Sequence, residues 1–141
     1  VAKWMDGDYQ TEGANPFKYP KVSSFAATAL VEIIDSIRDH MDDNTPLNVS
    51  IFAAHSEADT TTLLPGIVAL LDYNKGQNTE FFIEKELDVC HADVVINEPH
   101  LQMMQFDESK LENPGKCNVP SANPKHAMMM QSMVTFLQSQ G

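Results

Sequence analysis

The fold is decided by a short apolar segment and the polar residues that follow it, LNVSIFAA at 47–54 and HSEADTTT at 55–62. A short, mostly apolar run after a proline is typical of a strand buried on both faces, as in a parallel sheet. The polar part predicts a turn, and Pro65 then stands where the first turn of a helix tolerates proline. We therefore predict a strand over 47–54 and a helix from Pro65 to about Tyr73.

Helical and extended patterns alternate on both sides of this unit. Upstream, apolar residues recur at helical spacing from Ser23 or Ser24 to a stop before Asn44. Downstream, the turn cluster 74–79 precedes a second short strand at 81–83, and Asn123-Pro124 predicts the start of a last helix. Strands that alternate with helices favour the α/β class with a parallel sheet. Two parallel strands are too few for a stable sheet under three helices, so we expect one flank of a larger sheet.

Composition limits the functions that this chain can have. Its 141 residues suffice for one domain but not two, and 43% of them are hydrophobic, so a core is expected. Nine Lys and Arg stand against 20 Asp and Glu, a net charge of -11, which disfavours nucleic acid and anionic membrane surfaces. No apolar run approaches the roughly 20 residues of a membrane span. No signal peptide is visible, and the start at Val1 leads us to expect a processed, trimmed or internal beginning.

Two polar residues follow the two predicted strands. Asp59 comes just after the first strand and His91 after the second. Because parallel strands end at the same edge of a sheet, we expect these side chains to face each other. A buried carboxylate that accepts from one imidazole nitrogen leaves the other nitrogen as a general base. The alternative is that Asp59 only closes a turn and that His91 is a lone loop residue.

Weaker candidates surround this pair. Glu57 is an alternative acid, and His126, at the start of the last helix, is an alternative base. We expect His55 to be a satisfied polar residue near the site, and His40 and His100 to be solvated. A metal site is a further alternative, although the spacing of the capable ligands matches no familiar motif; these are His55, Glu57, Asp59, Cys90, His91 and Asp93.

Three segments together resemble the C-terminal third of α/β-hydrolase serine esterases and lipases. NVSIFAAHSEADTT at 48–61 is similar to the segment that carries the triad acid in that family, which makes Asp59 the acid. EFFIEKELDVCHADVV at 80–95 is similar to the histidine segment, which makes His91 the base. NPKHAMMMQSMVTFL at 123–137 is similar to the closing helix. The nucleophile elbow G-x-S-x-G is absent, and the family places it upstream of all these segments.

The resemblance implies an incomplete domain. Residues 1–22 would be a cap- or lid-like segment, and 23–141 would be the C-terminal part of the α/β-hydrolase domain. Residues 96–123, rich in Pro, Asn and Gly, predict an excursion loop longer than the family's usual link. The serine would lie upstream of Val1. The missing N-terminal half of the same protein is thus an expected partner, and without it we expect an exposed sheet edge and apolar face, with self-association through that surface.

The resemblance also implies a chemistry. A serine attacks a carboxylic ester or lipid substrate, His91 moves the proton and Asp59 orients His91, with no cofactor and no metal. A lipase, lysophospholipase or carboxylesterase fits best. The rival from another class is a non-catalytic acidic α/β binding module or pseudoenzyme.

Two features of the excursion remain open from sequence. Cys90 and Cys117 either pair, which pins the excursion beside His91 and indicates an extracytoplasmic location, or stay free and leave the compartment unknown. Three apolar residues in the excursion are candidates to line an acyl path: Met103, Met104 and Phe106.

Overall fold

The computed structural model of this chain describes residues 24–43, 45–112 and 114–141. The cap-like segment expected at 1–22 lies outside the described residues. The helices are α1 (Ser24–Asp42), α2 (Leu64–Tyr73), α3 (Glu98–Met103) and α4 (His126–Ser139), and the strands are β1 (Ile51–Ser56) and β2 (Asn78–Ile83). Short 3-10 helices lie at Lys85–Leu87, His91–Val95 and Glu108–Lys110.

The sheet of the described residues consists of β1 and β2, which run parallel. Their register pairs Ile51 with Asn78 at one end and Ser56 with Ile83 at the other. The coarse α/β class and the parallel pairing predicted from the sequence are therefore confirmed. Helix α2 forms the crossover between the two strands, as the parallel arrangement requires.

One side chain at the amino ends of the strands explains why β1 begins at Ile51 rather than at the predicted Leu47. The amide of Asn74 accepts from the backbone N–H of Val49 at 3.3 Å and donates to the Val49 carbonyl at 2.9 Å. It also donates to Oδ1 of Asn78 at 2.7 Å. The backbone of Val49 thus bonds to a side chain instead of a neighbouring strand, so the ladder starts only after it.

The core lies on the face of the sheet that α4 covers. Ile83 is fully buried, and it forms a cluster with Val89, Val94 and Met129. Phe52 of β1 meets Phe136 of α4 with ring centroids 5.8 Å apart. The cluster includes residues on both sides of His91 in sequence, so the core supports the segment that carries this histidine.

Helix α1 has the bounds that its apolar period predicts, but none of its residues is buried. Its large apolar side chains stay exposed, among them Phe25, Leu30, Ile33 and Ile37. The expectation of an exposed apolar face is confirmed. No helix within the described ranges is long and apolar enough to cross a membrane.

The excursion expected as an irregular loop over 96–123 contains the short helix α3. Asn97 caps it, because its side chain accepts from the backbone N–H of His100 at 2.8 Å, and Pro99 stands in the first turn. Asn123-Pro124 behaves differently from the prediction. The Asn123 side chain accepts from the N–H of Lys125 at 2.8 Å and closes a turn, so α4 begins only at His126.

Candidate active site

Asp59 lies three residues beyond the end of β1, in a turn that its own side chain shapes. Its backbone N–H donates to the carbonyl of Ser56 at 3.1 Å. Its Oδ1 accepts from the N–H of Thr61 at 2.7 Å and from that of Thr62 at 3.1 Å. The side chain is only 1% exposed. One carboxylate oxygen is thus committed to the turn, and the other remains for a second partner.

That second partner is His91. Its Nδ1 lies 2.6 Å from Oδ2 of Asp59, and its side chain is 52% exposed. His91 is the first residue of the 3-10 helix His91–Val95. The 3-10 helix Lys85–Leu87 lies between β2 and this helix. The predicted proximity of Asp59 and His91 at the carboxyl edge of the sheet is therefore confirmed by distance.

Two opposing effects set the charge of Asp59. Burial raises the pKa of this carboxyl, while the hydrogen bonds from His91, Thr61 and Thr62 lower it, and the net pKa lies below its usual value. Asp59 is therefore ionised at neutral pH and acts only as an acceptor. Because Nδ1 of His91 must then donate, the neutral imidazole presents Nε2 as an unprotonated base.

The alternative residues do not make this contact. Glu57 is exposed, and its backbone N–H donates to the carbonyl of Ile83. His126 lies at the start of α4 with its ring 6.4 Å from that of His100, and within the described residues no hydrogen bond joins it to Asp59. His40 and His100 are exposed, as expected.

His55, at the end of β1, differs from the prediction. It lies near the site, with Nδ1 3.9 Å from Oδ2 of Asp59, which is too long for a hydrogen bond. The residue is buried, and its Nε2 has no hydrogen-bond partner among the described residues. The expectation that His55 is a satisfied polar residue is therefore wrong. Oδ2 of Asp59 makes its short contact with His91 and not with Nδ1 of His55. Nε2, the other ring nitrogen of His55, has no partner in the described part of the chain.

The ligands of the alternative metal site are not gathered. Within residues 24–43, 45–112 and 114–141, no group of three or more His, Cys, Asp or Glu side chains is arranged to hold a metal ion. Cys90 and Cys117 form a disulfide with their Cα atoms 5.4 Å apart. This pairing removes Cys90 from the candidate ligands and ties the excursion to the residue that precedes His91.

Residues that come after His91 in the sequence form a largely apolar groove of about 470 Å³. Met103 and Met104 line it, together with Val95, Ile96 and His100. Phe106 does not belong to this groove, because it lines a separate hollow beside Val119 and Pro120.

Polar residues at the far end of the excursion hold the His91 region, and the sequence did not predict them. Ser121 Oγ donates to Oδ2 of Asp93 at 2.8 Å, and Nδ2 of Asn123 donates to the carbonyl of Val94 at 2.7 Å. Their pattern, S-x-N before a proline, resembles an ordinary turn, and no local signal identifies partners about 28 residues away.

Comparisons of this chain with protein-family models, with curated proteins and with solved structures find no match.

Proposed function

We propose that this chain is the C-terminal part of an α/β-hydrolase that cleaves carboxylic esters. Asp59 and His91 would be the acid and base of a Ser-Asp-His triad, and the serine would lie upstream of Val1. The observation that carries the proposal is the 2.6 Å contact between a buried carboxylate and a half-exposed imidazole. Both residues follow adjacent parallel strands, at the sheet edge where open α/β sheets collect their catalytic groups.

The geometry suits each chemical step. Nε2 of His91 takes the serine proton as the serine oxygen attacks the ester carbonyl, and Asp59 stabilises the imidazolium that forms. The imidazolium then gives that proton to the departing alcohol, which leaves an acyl-enzyme. Water attacks the acyl-enzyme with His91 again as base, and the carboxylic acid is released. These steps consume one water per ester and need no cofactor.

Two further features support an incomplete domain. The described sheet has only two strands, and α1 has no buried residue although its sequence is amphipathic. A larger sheet and the helices of an upstream half would cover such surfaces. A lipase, lysophospholipase or carboxylesterase remains the substrate class of the proposal.

The disulfide supports a location. We further propose that the protein functions outside the cytoplasm, because glutathione and thioredoxin keep cytosolic thiols reduced. In the cytosol, Cys90 and Cys117 would be reduced thiols and would not form the disulfide that the structure contains.

The second candidate function is a non-catalytic acidic binding module. It is favoured by the two backbone N–H groups that Oδ1 of Asp59 accepts, since these explain a buried aspartate without any reaction. Under this alternative the contact with His91 only ties two loops together.

Labelling with a fluorophosphonate probe separates the two functions. The test uses the intact protein with its upstream sequence. We expect the wild type to be labelled and His91→Ala to lose at least about 10³-fold in labelling rate, since a missing triad base cannot activate the serine. His126→Ala is the matched control and should keep the wild-type rate. A folded wild-type protein that takes up no probe would refute the hydrolase proposal.

A further inference from the structure

The histidine is carried by a segment with little regular structure of its own. This His91 segment, residues 88–96, begins with Asp88 in a left-handed conformation at φ 55° and contains one five-residue 3-10 helix. Helices of this kind have poor hydrogen-bond geometry and are rarely stable alone. Contacts from elsewhere in the chain must therefore fix the position of His91.

One side of the His91 segment is anchored in the core. Val89 and Val94 are both buried in the cluster around Ile83. These apolar contacts hold the backbone against the sheet. They are non-directional, however, so they do not by themselves set the rotation of the segment that brings Nδ1 of His91 to Asp59.

The other side is held by a stretch that we call the return limb, residues 116–123, where the excursion comes back toward α4. It contacts the His91 segment at successive points along its length: Lys116 with Asp88, Cys117 with Cys90, Ser121 with Asp93, and Asn123 with Val94 and Ile96. The partners follow the same order in both stretches, so the return limb runs alongside the segment from one end to the other.

The polar contacts that the return limb makes with Asp93, Val94 and Ile96 are directional, and these three residues are buried. Asp93 is 3% exposed, and Oγ of Ser121 donates to its Oδ2 at 2.8 Å. Asn123 is also buried, and its backbone N–H donates to the carbonyl of Ile96 at 2.8 Å. Ser121 itself is exposed, and its hydrogen bond to the buried carboxylate restricts where Asp93, two residues from His91, can lie.

We infer that the return limb is the positioning element for His91, with Ser121 and the Cys90–Cys117 disulfide as its positioning residues. The disulfide holds the residue before His91, and Ser121 holds the residue two positions after it. Together they bracket the imidazole and hold it where Asp59 can accept from Nδ1. The inference rests on the proposed function for its kinetic consequence, while the geometric consequence is independent of any reaction.

The kinetic test uses Ser121→Ala in the intact protein with a soluble p-nitrophenyl ester. We expect kcat to fall about 10²-fold with KM nearly unchanged, because a displaced base affects the reacting geometry and not ester binding. Ser121→Thr keeps a hydroxyl and should recover much of the rate. The matched control is Ser109→Ala, which removes the same hydroxyl elsewhere in the excursion, where the Ser109 hydroxyl donates to the exposed Asp107.

The geometric test follows the proton between His91 and Asp59 by NMR in the same protein with labelled histidine. The wild type and Ser109→Ala should show a downfield, slowly exchanging Nδ1 proton, identified by its loss in His91→Ala. Ser121→Ala and the double variant Cys90→Ser/Cys117→Ser should lose it or exchange it faster while circular dichroism stays unchanged. If one of these two variants unfolds, the other decides the comparison, and Ser121→Thr, which keeps the hydroxyl, should retain the proton.

The outcomes separate this inference from the proposed function. A Ser121→Ala protein with wild-type kcat and an unchanged His91 proton overturns the inference and leaves the hydrolase intact. A wild-type protein without esterase activity overturns the proposed function, and the NMR comparison then decides the inference alone. Loss of the His91 proton in Ser121→Ala but not in Ser109→Ala supports the inference that the return limb positions His91.

Discussion

Replacing Asp59 with asparagine tests the site with almost no change in shape. In the native protein, Oδ1 accepts from the N–H groups of Thr61 and Thr62, and Oδ2 accepts from Nδ1 of His91. Asparagine has one acceptor oxygen and one donor amide group, so it can accept hydrogen bonds on only one of these two sides.

The structure decides which side asparagine satisfies. With its amide toward the turn, two backbone N–H groups would lose their acceptor, at a cost of about 1–3 kcal/mol each. Even about 2 kcal/mol favours the opposite orientation by a factor of roughly 30. The Asn amide therefore faces Nδ1 of His91 and donates to it. The imidazole must then carry its proton on Nε2, and a protonated Nε2 cannot act as a base.

Two measurements follow this change. The ¹⁵N chemical shifts of His91 should report the Nδ1–H form in the wild type and the Nε2–H form in Asp59→Asn. The rate of fluorophosphonate labelling should fall on the order of 10⁴-fold, as expected when a triad base is held in the wrong tautomer. The NMR measurement needs no activity, so it tests the geometry even where the proposed function is wrong.

Glu57→Gln is the matched control, because Glu57 is exposed in the same turn and is the alternative acid. It should leave both the tautomer of His91 and the labelling rate unchanged. A wild-type His91 already in the Nε2–H form would refute the reasoning. An Asp59→Asn protein that keeps the Nδ1–H form would refute it equally.

Three further predictions concern stability, each measured as the free energy of unfolding in urea. Gly76→Ala should lose about 1–3 kcal/mol or more, because its Cβ would stand 2.1 Å from a backbone oxygen before β1; Gly66→Ala meets nothing within 4 Å and should gain about 0.4–1 kcal/mol. Opening the Cys90–Cys117 bond, with its 27-residue separation, should cost about 3.5 kcal/mol on the chain-entropy account, and an equal stability of oxidised and reduced protein would contradict it. The lowered pKa of Asp59 means that its ionised form stabilises the fold above the unfolded pKa of 3.8, and this contribution is lost as the pH falls through the lower folded pKa. Between pH 7 and pH 3, Asp59→Asn should thus lose less stability than the wild type. An identical loss in the two proteins would contradict a stabilising role for ionised Asp59.

The elements that local patterns determine were predictable. The period of α1 and the order of strand, helix and strand indicated the parallel pair, and parallel pairing alone predicted that Asp59 and His91 meet. What the sequence could not provide depends on side chains bonding to distant backbone. Asn74 shortened β1 in this way, and Asn123 bonds to Val94 instead of capping α4. Such contacts leave no periodic signal, since a single Asn is typical of any turn.

The satisfaction of His55 was mispredicted for a different reason. Sequence reasoning assigns a buried polar residue a partner by default, because nearly all such groups have one. Here the nitrogen of His55 without a partner is Nε2, whereas Asp59 lies nearer Nδ1, with its Oδ2 3.9 Å from Nδ1 of His55 and 2.6 Å from Nδ1 of His91. Only the distances decide between two histidines that compete for one oxygen.

The position of Asn74 has a consequence for how this protein tolerates change. Its amide joins Val49 before β1 to Asn78 at the start of β2, while Asp59 and His91 lie beyond the opposite ends of the same strands. The contacts of Asn74 are therefore separated, by the length of the sheet, from Asp59 and His91. A substitution of the Asp59 or His91 side chain removes none of the contacts of Asn74, so we expect the register of the two strands to withstand such changes.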